Sequence, residues 1–342
     1  MWRATFLSGV RPFLLVCLLF TSACGRYGEF TLPPLATAPP VHFNLETQPQ
    51  PQLARGGPRE WDSVDVLNPS VVEHNATYYN FYSGFDGRTW HTGLAISSDG
   101  IHWRKQGRVL SPDPATWEGS YIAANGSALF MEGEFWYWYQ AGQKATPEIG
   151  LARSRDGRNW RKEPRPVLQL GPRGSWDERG LGDPYVLCAG EWLYMYHLGQ
   201  DRAHRQRIAL ARSRDGLNWE KLRSNPVLDL PWPGSGAMDE NGDGEPAVWQ
   251  SSGFYWMLFT GRDRNERRTL GLAHSQDGVH WQREKAVFEG RYAWNKLALC
   301  DPTVLLQGAP VSSSIRVWFG GGDRASPDEN LNGQIGGGVL HR

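Results

Sequence analysis

The chain of 342 residues is poor in the features that define several protein classes. It has four Cys, and two of them, Cys17 and Cys24, lie in the N-terminal leader, so no disulfide framework is available. Cys188 and Cys300 sit in apolar, strand-like runs and read as two buried free thiols. Neither charge dominates: Lys and Arg number 36, as do Asp and Glu, with no basic block or stripe. This balance excludes a nucleic-acid partner, which requires clustered cations. No HExxH, paired-Cys or phosphate-loop pattern is present; the Gly runs Gly320–Gly322 and Gly336–Gly338 lack the following Lys-Ser/Thr step. What remains is a chain with 40% hydrophobic residues, ample for a core, and 17 Trp and 12 Tyr, a composition suited to strands and to stacking on sugar rings.

The N-terminus has the form of an export signal. Arg3 and Arg11 precede the apolar run Pro12-Phe-Leu-Leu-Val-Cys-Leu-Leu-Phe20. That run is far shorter than the roughly 20 residues a membrane-spanning helix needs. Thr21-Ser22-Ala23-Cys24 resembles a bacterial lipoprotein cleavage box, which implies removal of residues 1–23 and acylation of Cys24. A plain secretory signal is the alternative. Either places the protein outside the cytoplasm, in the lipoprotein case on the bacterial cell envelope. Residues 24–57 are rich in Pro and Gln and read as a tether, although Val41-His-Phe-Asn-Leu45 has the makings of a strand that pairs with the end of the chain.

From residue 58 onward the sequence repeats. Ser-x-Asp-Gly-x-x-Trp occurs four times, ending at Trp103, Trp160, Trp219 and Trp281, at intervals of 57, 59 and 62 residues. Asp-Gly between strand-like runs marks a hairpin turn, because Gly accepts positive φ. A second pattern has Trp or Met, then Asp, Glu or Asn, and six or seven residues later a polar residue usually followed by Pro. Its copies are Trp61-Asp62…Asn68-Pro69, Trp117-Glu118…Asn125-Gly126, Trp176-Asp177…Asp183-Pro184, Met238-Asp239…Glu245-Pro246 and Trp294-Asn295…Asp301-Pro302. An aromatic strand follows each copy. Five copies of a four-stranded antiparallel unit predict an all-β, five-bladed β-propeller over residues 58–342. The fifth unit ends without its Asp-Gly turn and fourth strand, so a strand from the N-terminal segment is expected to close the ring.

In a propeller the first strands line the axis, and equivalent residues meet at one mouth. Asn68, Asn125, Asp183, Glu245 and Asp301 should form that ring, held extended by the Pro that follows most of them. Carboxylates crowded there would shift one another's pKa values, as acid–base cleavage of glycosidic bonds requires.

With these motifs the region after Pro58 resembles the five-bladed glycoside hydrolase superfamily of families 43, 32 and 68. The resemblance implies a glycosidase with a carbohydrate substrate and no required cofactor. It further implies Glu245 as general acid and Asp183 as the residue that orients and tunes it. The first-blade base of those families corresponds to Asn68, which cannot take a proton, so Asp65 and then Asp301 become the candidate bases. Asp62 matches a nucleophile segment of family 68 but recurs as Glu118, Asp177 and Asp239, which marks it as a blade-turn residue. Tyr121, Trp117, His197 and Arg262 are further candidates for substrate contact. Asn68 also leaves open a sugar-binding protein without turnover. A phosphorylase is the third reading, in which Arg262 or Arg179 holds phosphate. Asp239-Glu-Asn241-Gly-Asp243-Gly244 imitates half of a calcium loop and is the candidate site for a structural ion. A monomer is expected.

Overall fold

The computed structural model describes residues 27–36, 41–306 and 314–342. The leader and Cys24 lie outside the described residues. Two short strands come first, β1 (Tyr27–Gly28) and β2 (Asn44–Thr47). Unit 1 follows as β3 (Asp65–His74), β4 (Thr77–Phe85), β5 (Trp90–Ser97) and β6 (Arg104–Leu110). Unit 2 is β7 (Ile122–Met131), β8 (Glu134–Gln143), β9 (Thr146–Ser154) and β10 (Arg161–Lys162). Unit 3 is β11 (Gly180–Ala189), β12 (Trp192–Gln200), β13 (Gln206–Ser213) and β14 (Glu220–Leu222). Unit 4 is β15 (Gly242–Ser251), β16 (Phe254–Arg262), β17 (Arg268–Ser275) and β18 (Gln282–Phe288). Unit 5 has β19 (Ala298–Leu306), β20 (Ser314–Gly322) and β21 (Gln334–His341).

The chain is all-β over its described residues. Within each unit consecutive strands pair antiparallel. The first strands touch in cyclic order, β3 against β7, β7 against β11, β11 against β15, β15 against β19, and β19 back against β3. The Asp-Gly turns explain how neighbouring units lock. Gly100, Gly157, Gly216 and Gly278 take φ of 68–73°, and the turn Ser accepts the N–H of Gly100, Gly216 and Gly278. Three of these turns are then gripped by a hydrogen bond from the preceding unit. Trp318 Nε1 donates to Gly100 O, Trp138 Nε1 to Gly216 O and Tyr196 Oη to Gly278 O.

The described residues of the segment read as a tether, 27–36 and 41–57, are part of the folded body. Phe30, Leu32, Phe43, Leu45 and Leu53 are all buried. β1 lies parallel to β14, and Leu32 N donates to Asp277 O. β2 pairs antiparallel with β21, from Asn44 opposite His341 to Thr47 opposite Gly338, and stands as the fourth strand of unit 5. Composition misled here because Pro presets an extended chain, and five apolar side chains spaced along it suffice to hold it in surface clefts. The two cysteines also differ from each other: Cys300 is buried but Cys188 is exposed.

Candidate active site

The five ring residues do meet, but their backbone is not extended. Asn68, Asn125, Asp183, Glu245 and Asp301 have φ of 47°, 49°, 44°, 52° and 50°. At each one the register with the second strand slips, between Leu67 and Ser70 in unit 1 and at the matching points of the others. A bulge places two residues opposite one on the partner strand, and the left-handed turn tips the first side chain toward the axis. Each such residue costs on the order of 1–3 kcal/mol, so five in register mark a place where the surrounding structure tolerates strain for position. Together with the Pro or Gly that follows, they line a neck of only about 30 Å³ at the bottom of a mouth of about 760 Å³.

Hydrogen bonds tie the ring together. Asn68 N donates to Asp301 Oδ2 at 3.3 Å, and Asn68 Nδ2 to Asp183 Oδ1 at 3.5 Å. Asp301 N donates to Glu245 Oε2 and to Thr260 Oγ1, both at 3.1 Å. Arg268 Nη1 donates to Glu245 Oε1 at 3.4 Å. Asn125 Nδ2 reaches Gln140 Oε1 at 3.5 Å, while its own Oδ1 has no protein partner. These neighbours split the carboxyls into two kinds. Burial and then the charge of Glu245 push Asp183 up to about 8. The same two causes push Asp301 well above the carboxylate range. Burial also acts on Glu245, but the Arg268 charge and the hydrogen bonds from Asp301 and Thr260 outweigh it and hold Glu245 below its ordinary value. At neutral pH Asp183 therefore holds a proton and the negative charge lies on Glu245.

Asn68, Asn125, Asp183, Glu245, Asp301, Tyr121 and Arg262 all line the mouth. Asp65 does not. Its carboxylate is buried and accepts the N–H of Asn330 at 2.6 Å and of Gly333 at 2.7 Å, so it anchors a loop and has no free face for a water. Asp62 is buried away from the mouth, paired with Lys105 at 2.6 Å and accepting Tyr82 Oη at 3.1 Å. His197 occupies in unit 3 the place that Tyr82 holds in unit 1: it is fully buried, packs on Trp176 and stays neutral, its pKa lowered to about 4 by burial and the nearby Lys221. Neither contacts the mouth. Trp117 packs into the core of units 1 and 2, and Arg179 lies outside the mouth lining. In the calcium-like loop, Asp239 and Asp243 both face the guanidinium of Arg283, at 2.8 and 3.3 Å, and Glu240 pairs with Arg264. The cation those acids meet is an arginine.

Two elements of the mouth escape the repeat. Arg268 ends what reads as a basic surface run, yet it is 5% exposed because it lies in β17 directly opposite Arg262. The loop from Asp323 to Gly333 joins β20 to β21 and brings Pro327, Asp328 and Glu329 into the mouth. It occurs once in the chain, so no periodicity signals it. The buried, strand-borne arginine was in principle visible from the alternation Arg268-Thr-Leu-Gly-Leu-Ala of its strand.

Comparison with known proteins agrees with this fold. Residues 68–228 match the model of the glycosyl hydrolases family 32 N-terminal domain. A family 117 glycoside hydrolase of Zobellia galactanivorans superposes with a TM-score of 0.65 at 17% identity, covering 87% of this chain and 90% of that one. The chain carries the fold of the propeller glycoside hydrolases. A structure from the GH130 family of mannoside phosphorylases, described as containing hydrolases that target beta-1,2 mannosidic linkages in Candida mannan, also has a TM-score of 0.65, at 18% identity over 91% of this chain and 96% of that one. Among curated sequences, an uncharacterised protein of Mycobacterium tuberculosis is 25% identical over 232 residues, 64% of this chain and 75% of its own length. The 1,2-beta-oligomannan phosphorylase of a Thermoanaerobacter species is 26% identical over 179 residues, 49% of this chain and 55% of its own.

Proposed function

We propose that this chain cleaves glycosidic bonds at the mouth of a five-bladed propeller, with Asp183 as general acid and Glu245 as the carboxylate that activates the incoming nucleophile. One observation carries the assignment: neighbouring carboxyls in one ring have pKa values driven in opposite directions, the pattern that separates an acid from a base. Asp183 gives its proton to the leaving oxygen as the bond from that oxygen to the anomeric carbon breaks. Glu245 takes a proton from water as the water oxygen bonds to that carbon. This exchanges the roles that the family resemblance alone implies. Asp301 donates to Glu245 and positions it, and Asn68 orients Asp183.

Phosphorolysis is the second reading. Lys144, Arg205, Arg262 and Arg268 line the same mouth, and one curated relative is a phosphorylase. In that case phosphate replaces water and the product is a sugar phosphate. We further propose that the protein works outside the cytoplasm as a monomer, held to the cell envelope through acylated Cys24, as its leader suggests.

The test is release of sugars from inulin, linear arabinan, xylan and β-mannan, with and without inorganic phosphate, by wild type, Asp183→Asn and Glu245→Gln. Turnover that both substitutions abolish supports the reading, and its dependence on phosphate decides between the two nucleophiles. Saccharide binding without turnover at any pH would instead make the chain a binding protein, with Asn68 as the reason.

A further inference from the structure

The loop Asp323–Gly333 is a fixed wall. Its base is closed by Asn332 Nδ2 donating to Asp323 Oδ1 at 2.8 Å and by Arg324 N donating to Leu331 O, and Leu331 is fully buried. From there it is pinned to three different units. Unit 1 holds it through both oxygens of Asp65. Unit 4 holds it through Arg262, which donates to Pro327 O at 2.9 Å, and Arg268, which donates to Ser326, Pro327 and Asp328 carbonyls at 2.9–3.5 Å. At unit 2 the Glu329 carboxylate accepts Tyr121 Oη at 3.0 Å and Lys144 Nζ at 2.7 Å, with Lys144 lying 5.0 Å over the Tyr121 ring.

These contacts fall on units 1, 2 and 4, and unit 3 is where the mouth continues. A second groove of about 460 Å³, lined by Trp176, Glu178, Asp201, Arg207 and Asp229, shares Ala203 and Arg205 with the mouth. The wall thus stands over units 1, 2 and 4, and the mouth meets a groove over unit 3. Asn125, Arg262 and Arg268 line the mouth, and each has a buried polar atom without a protein partner, Asn125 Oδ1 and the two arginine Nε. Glu329, an acceptor with two oxygens on the wall, suits the vicinal hydroxyls of a single sugar ring.

We infer that the enzyme acts on chain ends. The terminal sugar sits against the Asp323–Gly333 wall, with Glu329 as a specificity-determining contact, and the rest of the glycan leaves over unit 3 along the second groove. A polysaccharide cannot thread through, because the wall closes the side opposite that groove. The inference rests on the proposed glycan cleavage and adds to it the class of substrate end and the direction of the chain.

The experiment follows product size with time on whichever of inulin, linear arabinan, xylan and β-mannan is cleaved, the last three reduced at their reducing ends. Release of one small product from the start, with polymer length falling slowly, is the expected result. A second variant sharpens it: Tyr121→Phe combined with Lys144→Met frees Glu329 without touching Asp183 or Glu245. That variant should raise KM on the order of tenfold, equivalent to about 1.4 kcal/mol, with a smaller change in kcat. An early ladder of internal fragments from wild type, abolished by Asp183→Asn, would overturn the chain-end inference while leaving glycosidic cleavage standing. No cleavage of any of the four glycans would overturn both.

Discussion

Two rings of polar residues run through this molecule with the same period and meet opposite fates. The outer ring consists of the acid after each repeat Trp or Met. Asp62, Glu118 and Asp177 pair with Lys105, Lys162 and Lys221 at 2.5–2.6 Å, and Asp239 with Arg283 at 2.8 Å. Each cation comes from the fourth strand of its unit, two residues after the turn Trp. The acid thus ties the entry of a unit to its outermost strand. Unit 5 draws its fourth strand from the N-terminus, that strand supplies no Lys or Arg, and the acid position there holds Asn295. The inner ring, a few residues further along each chain segment, has fewer cations than carboxyls. Arg268 serves Glu245, Asp183 keeps its proton instead, and burial and the Glu245 charge push Asp301 upward as well. Equivalent spacing therefore says where a side chain goes, and the supply of counter-charge says whether an acid there becomes a structural tie or keeps its proton.

Breaking the inner ring should give the largest effect. Asp183→Asn removes the proton donor and should lower kcat by about 10²–10⁴-fold. The thermal midpoint should hold or rise, since the folded chain no longer has to hold on a buried carboxyl a proton that the unfolded chain would release. Measuring kcat and a melting curve on the same preparation checks both halves. Breaking the outer ring should do the reverse. Asp177→Ala strands Lys221, whose side chain is 5% exposed, and should cost about 3–5 kcal/mol in urea unfolding while the folded fraction keeps its kcat. Asp62→Ala should cost less, about 1–3 kcal/mol, because Lys105 is 29% exposed and can turn to water.

The smallest effect is on pH dependence. A carboxyl raised to about 8 holds a proton that the unfolded chain releases near 3.8. The folded state then binds more protons than the unfolded state across that window, so the contribution of Asp183 to stability declines as pH climbs from the lower value to the upper and is flat above it. Asp183→Asn should remove that part of the slope, which urea midpoints across the window will show. Activity should share the upper limit, falling as pH rises through about 8 and the donor is lost.

Sequence reading reached the periodic part of the molecule and stopped at the rest. The turns at Asp99, Asp156, Asp215 and Asp277, the aromatic strands and the ring positions follow from spacing, because every copy obeys the same local rules. The backbone at Asn68 and its equivalents did not follow. Steric restriction before Pro favours extended geometry, but the bulge in each first strand overrides it. Asp65 stood out as an acid outside the repeat, and it is special, but for holding Asn330 and Gly333. Arg268 and Glu329 act through partners more than 20 residues away, Glu245, Tyr121 and Lys144, and no local pattern encodes such pairs.

The location of the proton in the inner ring is the central claim, and infrared difference spectroscopy between wild type and Asp183→Asn reads it directly. A protonated-carboxyl C=O band at neutral pH, absent in the variant and bleaching in the wild type as pH rises through about 8, is the predicted result. A band at neutral pH that belongs to Glu245, removed by Glu245→Gln and untouched by Asp183→Asn, would contradict the assignment and return the acid role to Glu245.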